Sequence, residues 1–194
     1  MSTSADGRWH PGIGDPNVTG WVTVAAYVAA MVMCAVCAAR EPTRGRRRFV
    51  WAAFALTMAF LGVNKQLDLQ TWFTEIGRDM AQAEGWYAVR QTVQALFIAA
   101  LAGAGAIGLV WLLHLLRGLG SELRCAALGL LLLAVFVVAR AASFHHVDRL
   151  LGIELASGVR LNALLELTGI GIVAGAAAAR LLRLSAGRVR AATD

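Results

Sequence analysis

A group of ionisable residues directly follows a long apolar run in the C-terminal half of the sequence. The run covers residues 126–139 and contains no ionisable side chain. The polar residues that come after it are Arg140, Ser143, His145, His146 and Asp148. Imidazole and carboxylate groups bind divalent metals, and a His–Asp pair also transfers protons. Ionisable groups at the end of a membrane helix predict a functional site. The remaining residues of such a site must come from other helices.

Composition places the chain among integral membrane proteins. Of its 194 residues, 58% are hydrophobic and only 15% are charged. Several apolar runs reach the roughly 20 residues that a helix needs to span a bilayer. The sequence therefore predicts an all-α membrane helical bundle with about five transmembrane helices. The predicted spans are 18–39, 49–67, 89–116, 125–144 and 162–184.

One bundle, residues 18–184, is expected to form the whole folded domain. Residues 1–17 are polar and contain Gly and Pro, which predicts a flexible tail. Residues 185–194 are predicted to be a basic cytoplasmic tail. Between the second and third spans, apolar residues recur every three or four positions over residues 68–84, which indicates an amphipathic helix resting at the membrane interface.

The distribution of basic residues predicts the orientation of the bundle. The net charge is +6, and most of the arginines lie in 40–48, 117–124 and 180–190, next to apolar runs. These three regions share a side in a five-span arrangement, and the positive-inside rule makes that side cytoplasmic. We therefore expect a bacterial inner-membrane protein with its N-terminus outside and its C-terminus in the cytoplasm. The expected partners are membrane lipids, with anionic headgroups at the arginine clusters, and not nucleic acid. A four-span alternative would make the first apolar run peripheral.

Polar residues gather near the predicted outer ends of spans two to five. The predicted ligand-binding residues are Asn64, Lys65, Asp68, Arg90, Gln91, Gln94, Arg140, Ser143 and Asn162. An unpaired arginine at the centre of a membrane helix costs roughly 2.5–3.5 kcal/mol on insertion scales. Glu166 and Asp68 are the carboxylates expected to pair with Arg140.

Four interpretations of this outer site remain open. A divalent metal would be bound by His145, His146, Asp148 and Glu166, with Glu75 as a further ligand. An anionic group would be held by Arg90, Arg140 and Lys65. General acid–base catalysis would use the same four metal candidates as its catalytic residues. The fourth interpretation is a buried polar network that fixes the helix register.

Two further motifs concern packing and cofactors. Gly171 and Gly175 form a GxxxG on the fifth span, with Gly169 nearby, and together with the glycines at 103–108 they predict contact between the third and fifth spans. An alternative is that glycine is simply common in such helices. Haem is not expected, because His114 and the His145–His146 pair fall at opposite ends of their predicted spans.

Two stretches resemble known proteins. Residues 61–70, with Glu75, Arg78 and Asp79, and residues 140–148 resemble uncharacterised bacterial polytopic inner-membrane proteins, a resemblance that implies no activity. The Ser–Phe–His sequence at 143–145 is more faintly similar to the ceramidase-like membrane hydrolases, which would imply a zinc site. That family has a further HxxxH-type pair on a late helix, and the fifth span here contains no histidine.

The leading functional hypothesis is a multi-pass membrane protein whose outward-facing polar pocket binds a small anionic or lipid-headgroup ligand. The first alternative is a membrane-embedded, metal-dependent enzyme that acts on a lipid-like substrate. The second is a small transporter or an accessory subunit, working as a homo-oligomer or within a complex.

Overall fold

The computed structural model describes residues 17–42, 45–67, 116–141, 154–155 and 159–193, and between them 99, 103, 105–108, 110, 112 and 114. This part of the chain is an all-α bundle, as predicted. Four of its helices are long and apolar enough to cross a membrane. The predicted tail at 1–16 and interfacial helix at 68–84 lie outside the described residues.

Helix α1 covers Val18–Arg40 and has well-defined signals at both ends. The Asn17 side chain accepts a hydrogen bond of 2.7 Å from the Gly20 backbone N–H, which satisfies one of the free donors of the first turn. Glu41 is extended because the following residue, Pro42, disfavours a helical conformation before it. The buried residues of α1 recur at alternating intervals of three and four: Gly20, Thr23, Tyr27, Ala30, Cys34 and Cys37.

Helix α2 covers Arg46–Leu67, so the basic stretch at 46–48 forms its first turn instead of a loop. Its buried side chains are Val50, Trp51, Phe54, Ala55 and Met58. Every described residue between 99 and 114 is helical, and a turn follows at 116–119. Gly118 and Gly120 have φ angles of 78° and 108°, a region that favours glycine and ends the helical path before α3.

Helix α3 covers Ser121–Ala141 and helix α4 covers Leu161–Thr193. A short antiparallel pair of two-residue strands, β1 (Glu154–Leu155) and β2 (Val159–Arg160), comes immediately before α4. The 33 residues of α4 would extend about 50 Å, well beyond the hydrocarbon thickness of about 30 Å. The predicted basic tail therefore continues the last helix almost to its end.

Helix α4 is the central element, since it packs against both α1 and α3, while α2 packs against α1. Its contacts with α1 run in register: Tyr27 meets Glu166, Cys37 meets Ala177, and Glu41 meets Arg180. The contacting residues are separated by 139 or 140 positions in the sequence in all three pairs, which shows that α1 and α4 are parallel.

The bundle has two distinct ends. The Lys65 end is defined by Leu67, Ala141 and Leu161, where α2 and α3 finish and α4 begins. The arginine end is defined by Arg40, Arg46, Ser121 and Arg180. The predicted basic regions at 40–48, 117–124 and 180–190 therefore share one end, as the five-span arrangement requires.

The direction of the helices bears on the number of crossings. Both α2 and α3 run from the arginine end to the Lys65 end, so Leu67 and Leu116 lie at opposite ends of the bundle. The chain between Leu67 and Leu116 must therefore pass from one end of the bundle to the other, as a membrane-spanning helix would. Most of the predicted span 89–116 lies outside the described residues. Helix α1, which the four-span alternative would make peripheral, is packed between α2 and α4 and has a fully buried Tyr27, while the number of spans stays a prediction.

Close helix packing within the described residues occurs at Gly169, which lies next to the predicted GxxxG, and not at the two glycines of that motif. A Cβ atom at Gly129 of α3 would lie 2.8 Å from the Gly169 carbonyl oxygen of α4, so only glycine allows this approach. Gly171 and Gly175 instead meet no atom within 4 Å in the described part of the chain, and the same holds for Gly103, Gly105 and Gly108. The face of α4 that packs closely within the described residues is the one with Gly169, and contact between the third and fifth spans stays a prediction, because most of the third span lies outside them.

Candidate functional site

Three helices contribute to a buried polar cluster near the Lys65 end. The Lys65 ammonium of α2 forms an ion pair of 3.0 Å with Glu166 Oε2 of α4. The Tyr27 hydroxyl of α1 donates a hydrogen bond of 3.1 Å to Glu166 Oε1. Each carboxylate oxygen thus accepts from a different helix, which makes Glu166 the centre of the cluster.

These charges are almost completely removed from solvent. Only 8% of the Lys65 side chain and 4% of the Glu166 side chain are exposed. A buried charge is tolerated only when it is paired and hydrogen-bonded, and this arrangement supplies both conditions for Glu166. The long alkyl stem of lysine lets its ammonium reach across to α4 from a half-buried backbone position.

The sequence predicted two members of the cluster and missed the third. Lys65 and Glu166 were both expected at the outer site, and the structure brings them into direct contact. Tyr27 was not expected, because α1 was treated as a featureless apolar span. Its hydroxyl was the available signal, since a buried tyrosine in an apolar helix normally finds a hydrogen-bond partner.

Two amide side chains close to the cluster along the same helices have unsatisfied polar atoms. Gln66 follows Lys65 on α2, and both its amide nitrogen and its amide oxygen are buried without a hydrogen-bond partner among the described residues. The same is true of Asn162 Oδ1, one helical turn before Glu166 on α4. Buried polar groups are nearly always hydrogen-bonded, so these atoms require a partner other than the described residues, whether water, another segment of the chain or a ligand.

The other predicted ligand-binding residues are less well defined. Asn64 is half-buried on α2, next to Lys65. Arg140 lies in the last turn of α3, but its side chain is outside the described part of the structure. Its expected pairing with Glu166 or Asp68 therefore stays a prediction. The predicted residues that lie wholly outside the described ranges are Asp68, Arg90, Gln91, Gln94, Ser143, His145, His146 and Asp148.

The metal hypothesis depends largely on residues whose positions are not described. Within the described ranges, no three His, Cys, Asp or Glu residues are grouped so that they could hold a metal ion. Of the four predicted ligands, Glu166 alone is described, and its carboxylate is engaged by Lys65 and Tyr27. A metal site at His145, His146 and Asp148 stays a prediction, and so does catalysis by these residues.

A second set of ion pairs lies at the arginine end. Arg180 of α4 binds Glu41 with two hydrogen bonds, from Nε at 2.7 Å and from Nη2 at 2.8 Å. Arg183, one turn further, pairs with Glu122 of α3 at 2.8 Å. Sequence reasoning treated these arginines only as topology signals. The bidentate geometry of Arg180 shows that they also hold α4 to its neighbours.

Two arginines of α2 fix the turn before α3. Arg47 Nη2 donates to the Leu119 carbonyl oxygen, and Arg46 Nη2 donates to the His114 carbonyl oxygen at 3.4 Å. Both described carboxylates at this end, Glu41 and Glu122, are buried and paired with an arginine. The exposed arginines at the same end are Arg40, Arg46, Arg48, Arg117, Arg124 and Arg183. This end of the bundle is therefore strongly positive.

Comparison with known proteins adds no family to these observations. No protein-family profile matches the sequence, and neither a curated protein nor a solved structure is significantly similar to it.

Proposed function

We propose that this chain is a multi-pass membrane protein that binds a small ligand carrying an anionic group, such as a lipid headgroup, at the Lys65 end. The observation that carries the proposal is the buried Lys65–Glu166–Tyr27 cluster, with unsatisfied amide atoms of Gln66 and Asn162 close to it along α2 and α4. For an anion, Lys65 supplies an ammonium and the Gln66 amide supplies an unsatisfied N–H donor. The predicted residues Arg90 and Arg140 would add guanidinium groups from neighbouring spans.

The orientation proposed for the bundle follows from the charge at its two ends. Six exposed arginines at the arginine end favour the cytoplasmic face of a bacterial inner membrane, where anionic headgroups would contact them. The Lys65 end then faces outward, and the ligand would be bound in the outer half of the membrane.

Thermal unfolding of the detergent-purified protein tests the proposal. The probes are dihexanoyl phospholipids with glycerol, ethanolamine or choline headgroups, used below their micelle concentration. A ligand that binds only the folded state stabilises it by about 2.7 kcal/mol at a concentration of 100 times Kd. We expect at least one headgroup to raise the midpoint of unfolding.

The matched variants are two double substitutions that each replace a buried ion pair by apolar residues. Lys65→Met with Glu166→Leu removes the pair at the proposed site, and Glu41→Leu with Arg180→Met removes the pair at the opposite end. The first should lose the stabilisation by ligand, and the second should keep it. Equal stabilisation of both variants, or none in the native protein, would contradict the proposal and leave a polar network that only fixes the helix register.

A further inference from the structure

The charge balance of the cluster restricts which ligands it can accept. Lys65 is already neutralised by Glu166, and the two side chains are 8% and 4% exposed. A purely anionic ligand that took the Lys65 ammonium would leave the buried Glu166 carboxylate with Tyr27 as its remaining described donor. Breaking a buried pair from one side is strongly unfavourable, because it leaves an uncompensated charge. A ligand with one negative charge alone is therefore a poor fit.

The unsatisfied amide groups indicate that the ligand must offer donors as well as acceptors. The Gln66 amide presents both an N–H donor and a carbonyl acceptor that lack described partners. Asn162 adds an unsatisfied carbonyl oxygen on α4. Together with Glu166, these give three side chains with oxygen acceptors for a group that carries several N–H bonds. An ammonium group has this property, whereas a phosphate or carboxylate does not.

We infer, resting on the function proposed above, that the ligand is zwitterionic and carries a primary ammonium next to a phosphate. The ligand ammonium replaces Lys65 on Glu166, and the ligand phosphate takes the released Lys65 ammonium. Both buried charges stay paired throughout, and the Gln66 and Asn162 amides gain partners. The ethanolamine headgroup of a phospholipid has this chemistry, and so does free phosphoethanolamine.

Native mass spectrometry of the full-length protein in detergent tests this inference. The protein is offered an equimolar mixture of phosphatidylethanolamine, phosphatidylglycerol and phosphatidylcholine with identical acyl chains. Phosphatidylglycerol lacks the ammonium, and phosphatidylcholine has a cation without N–H donors. We expect phosphatidylethanolamine to bind at least about tenfold more tightly than either. Gln66→Met should reduce this preference without unfolding the protein, since it replaces unsatisfied amide atoms by an apolar side chain of similar size.

The variants separate failure of this inference from failure of the proposed function. A preference that disappears in Lys65→Met/Glu166→Leu and persists in Glu41→Leu/Arg180→Met supports the inference. Phosphatidylglycerol binding that equals phosphatidylethanolamine binding and is lost in the first variant overturns the zwitterion while keeping an anion site. Lipid binding that is unchanged in the first variant overturns both.

Soluble headgroups distinguish the two sources of the same chemistry. Displacement of bound lipid by phosphoethanolamine, and not by glycerol phosphate, supports a free zwitterionic ligand. Phosphatidylethanolamine preference without displacement by phosphoethanolamine supports the lipid as the source. Displacement by both compounds to the same extent overturns the requirement for an ammonium.

Discussion

Glu166 connects three helices at the Lys65 end of the described bundle. Its carboxylate accepts from Lys65 of α2 and from Tyr27 of α1, so one side chain links three helices. The bond from Tyr27 goes to a charged acceptor, a class that contributes roughly 1.5–3 kcal/mol. The ion pair itself is a weaker argument for stability, because the desolvation of both charges offsets much of their attraction.

This balance predicts a strongly non-additive response to substitution. Lys65→Met alone leaves a buried carboxylate without its ammonium partner and should destabilise the protein by about 3–5 kcal/mol, and Glu166→Leu alone removes the Glu166 carboxylate from the buried ammonium at a similar cost. The double variant should recover most of this loss, since no charge remains to be compensated. Thermal unfolding of the four proteins in one detergent measures the cycle.

Tyr27→Phe serves as the reference for this cycle. It removes one donor from Glu166 but leaves the ion pair, so its effect should be smaller than that of either single charge substitution. Additive effects of Lys65→Met and Glu166→Leu would show that the two side chains are not coupled in the folded protein.

At the level of elements, α4 carries both sets of ion pairs. Glu166 and Arg180 are fourteen residues apart, which corresponds to about 21 Å along the helix axis. This separation is shorter than the hydrocarbon thickness of about 30 Å, so both pairs fit within one membrane span. Pairing at two depths fixes the position of α4 along α1 as well as its rotation.

The approach of α3 to α4 gives a prediction with a control elsewhere on α4. Gly129→Ala places a methyl group 2.8 Å from the Gly169 carbonyl oxygen and should destabilise the bundle by about 1–3 kcal/mol. The clash involves backbone, so a rotamer change cannot relieve it. Gly171→Ala meets no described atom within 4 Å and should be neutral or stabilising by up to about 1 kcal/mol, because alanine favours helix formation. Thermal unfolding of both variants checks the prediction, and equal effects would contradict it.

At the level of the whole molecule, the asymmetry of charge between the two ends determines the proposed orientation. All the exposed arginines named above lie at the arginine end, and they come from α1, α2, α3, α4 and the turn before α3. The basic regions at 40–48, 117–124 and 180–190 are far apart in the sequence but lie at the same end of the bundle. Their shared position supports the orientation more strongly than the charge of one loop would.

Cysteine labelling in intact cells measures this orientation. Cys34, Cys37 and Cys125 are first replaced by alanine, and a single cysteine is then introduced as Ser4→Cys or Ser121→Cys. We expect a membrane-impermeant maleimide to label the Ser4→Cys variant in intact cells. The Ser121→Cys variant should react only after the membrane is permeabilised, because Ser121 is an exposed residue at the arginine end. Labelling in the opposite sense would reverse the proposed orientation.

The sequence by itself determined that the protein is a helical membrane bundle and which helix termini lie at the same end of it. Apolar run length is a local property and sets which segments can span a membrane, so the helices at 18–40, 46–67 and 121–141 follow closely from the sequence. Loop charge likewise predicted which regions share an end. The position of Lys65 and Glu166 at one end could be predicted because alternating direction assigns each helix terminus to a side.

Only the tertiary structure decided which side chains meet. Glu166 was expected beside Arg140, but its described partners are Lys65 and Tyr27. Gly169, and not the GxxxG at Gly171 and Gly175, approaches α3. The physical reason is that rotation about a helix axis moves every side chain to another neighbour without changing any local preference. That rotation is fixed by packing and pairing between distant segments, which neither run length nor charge can specify.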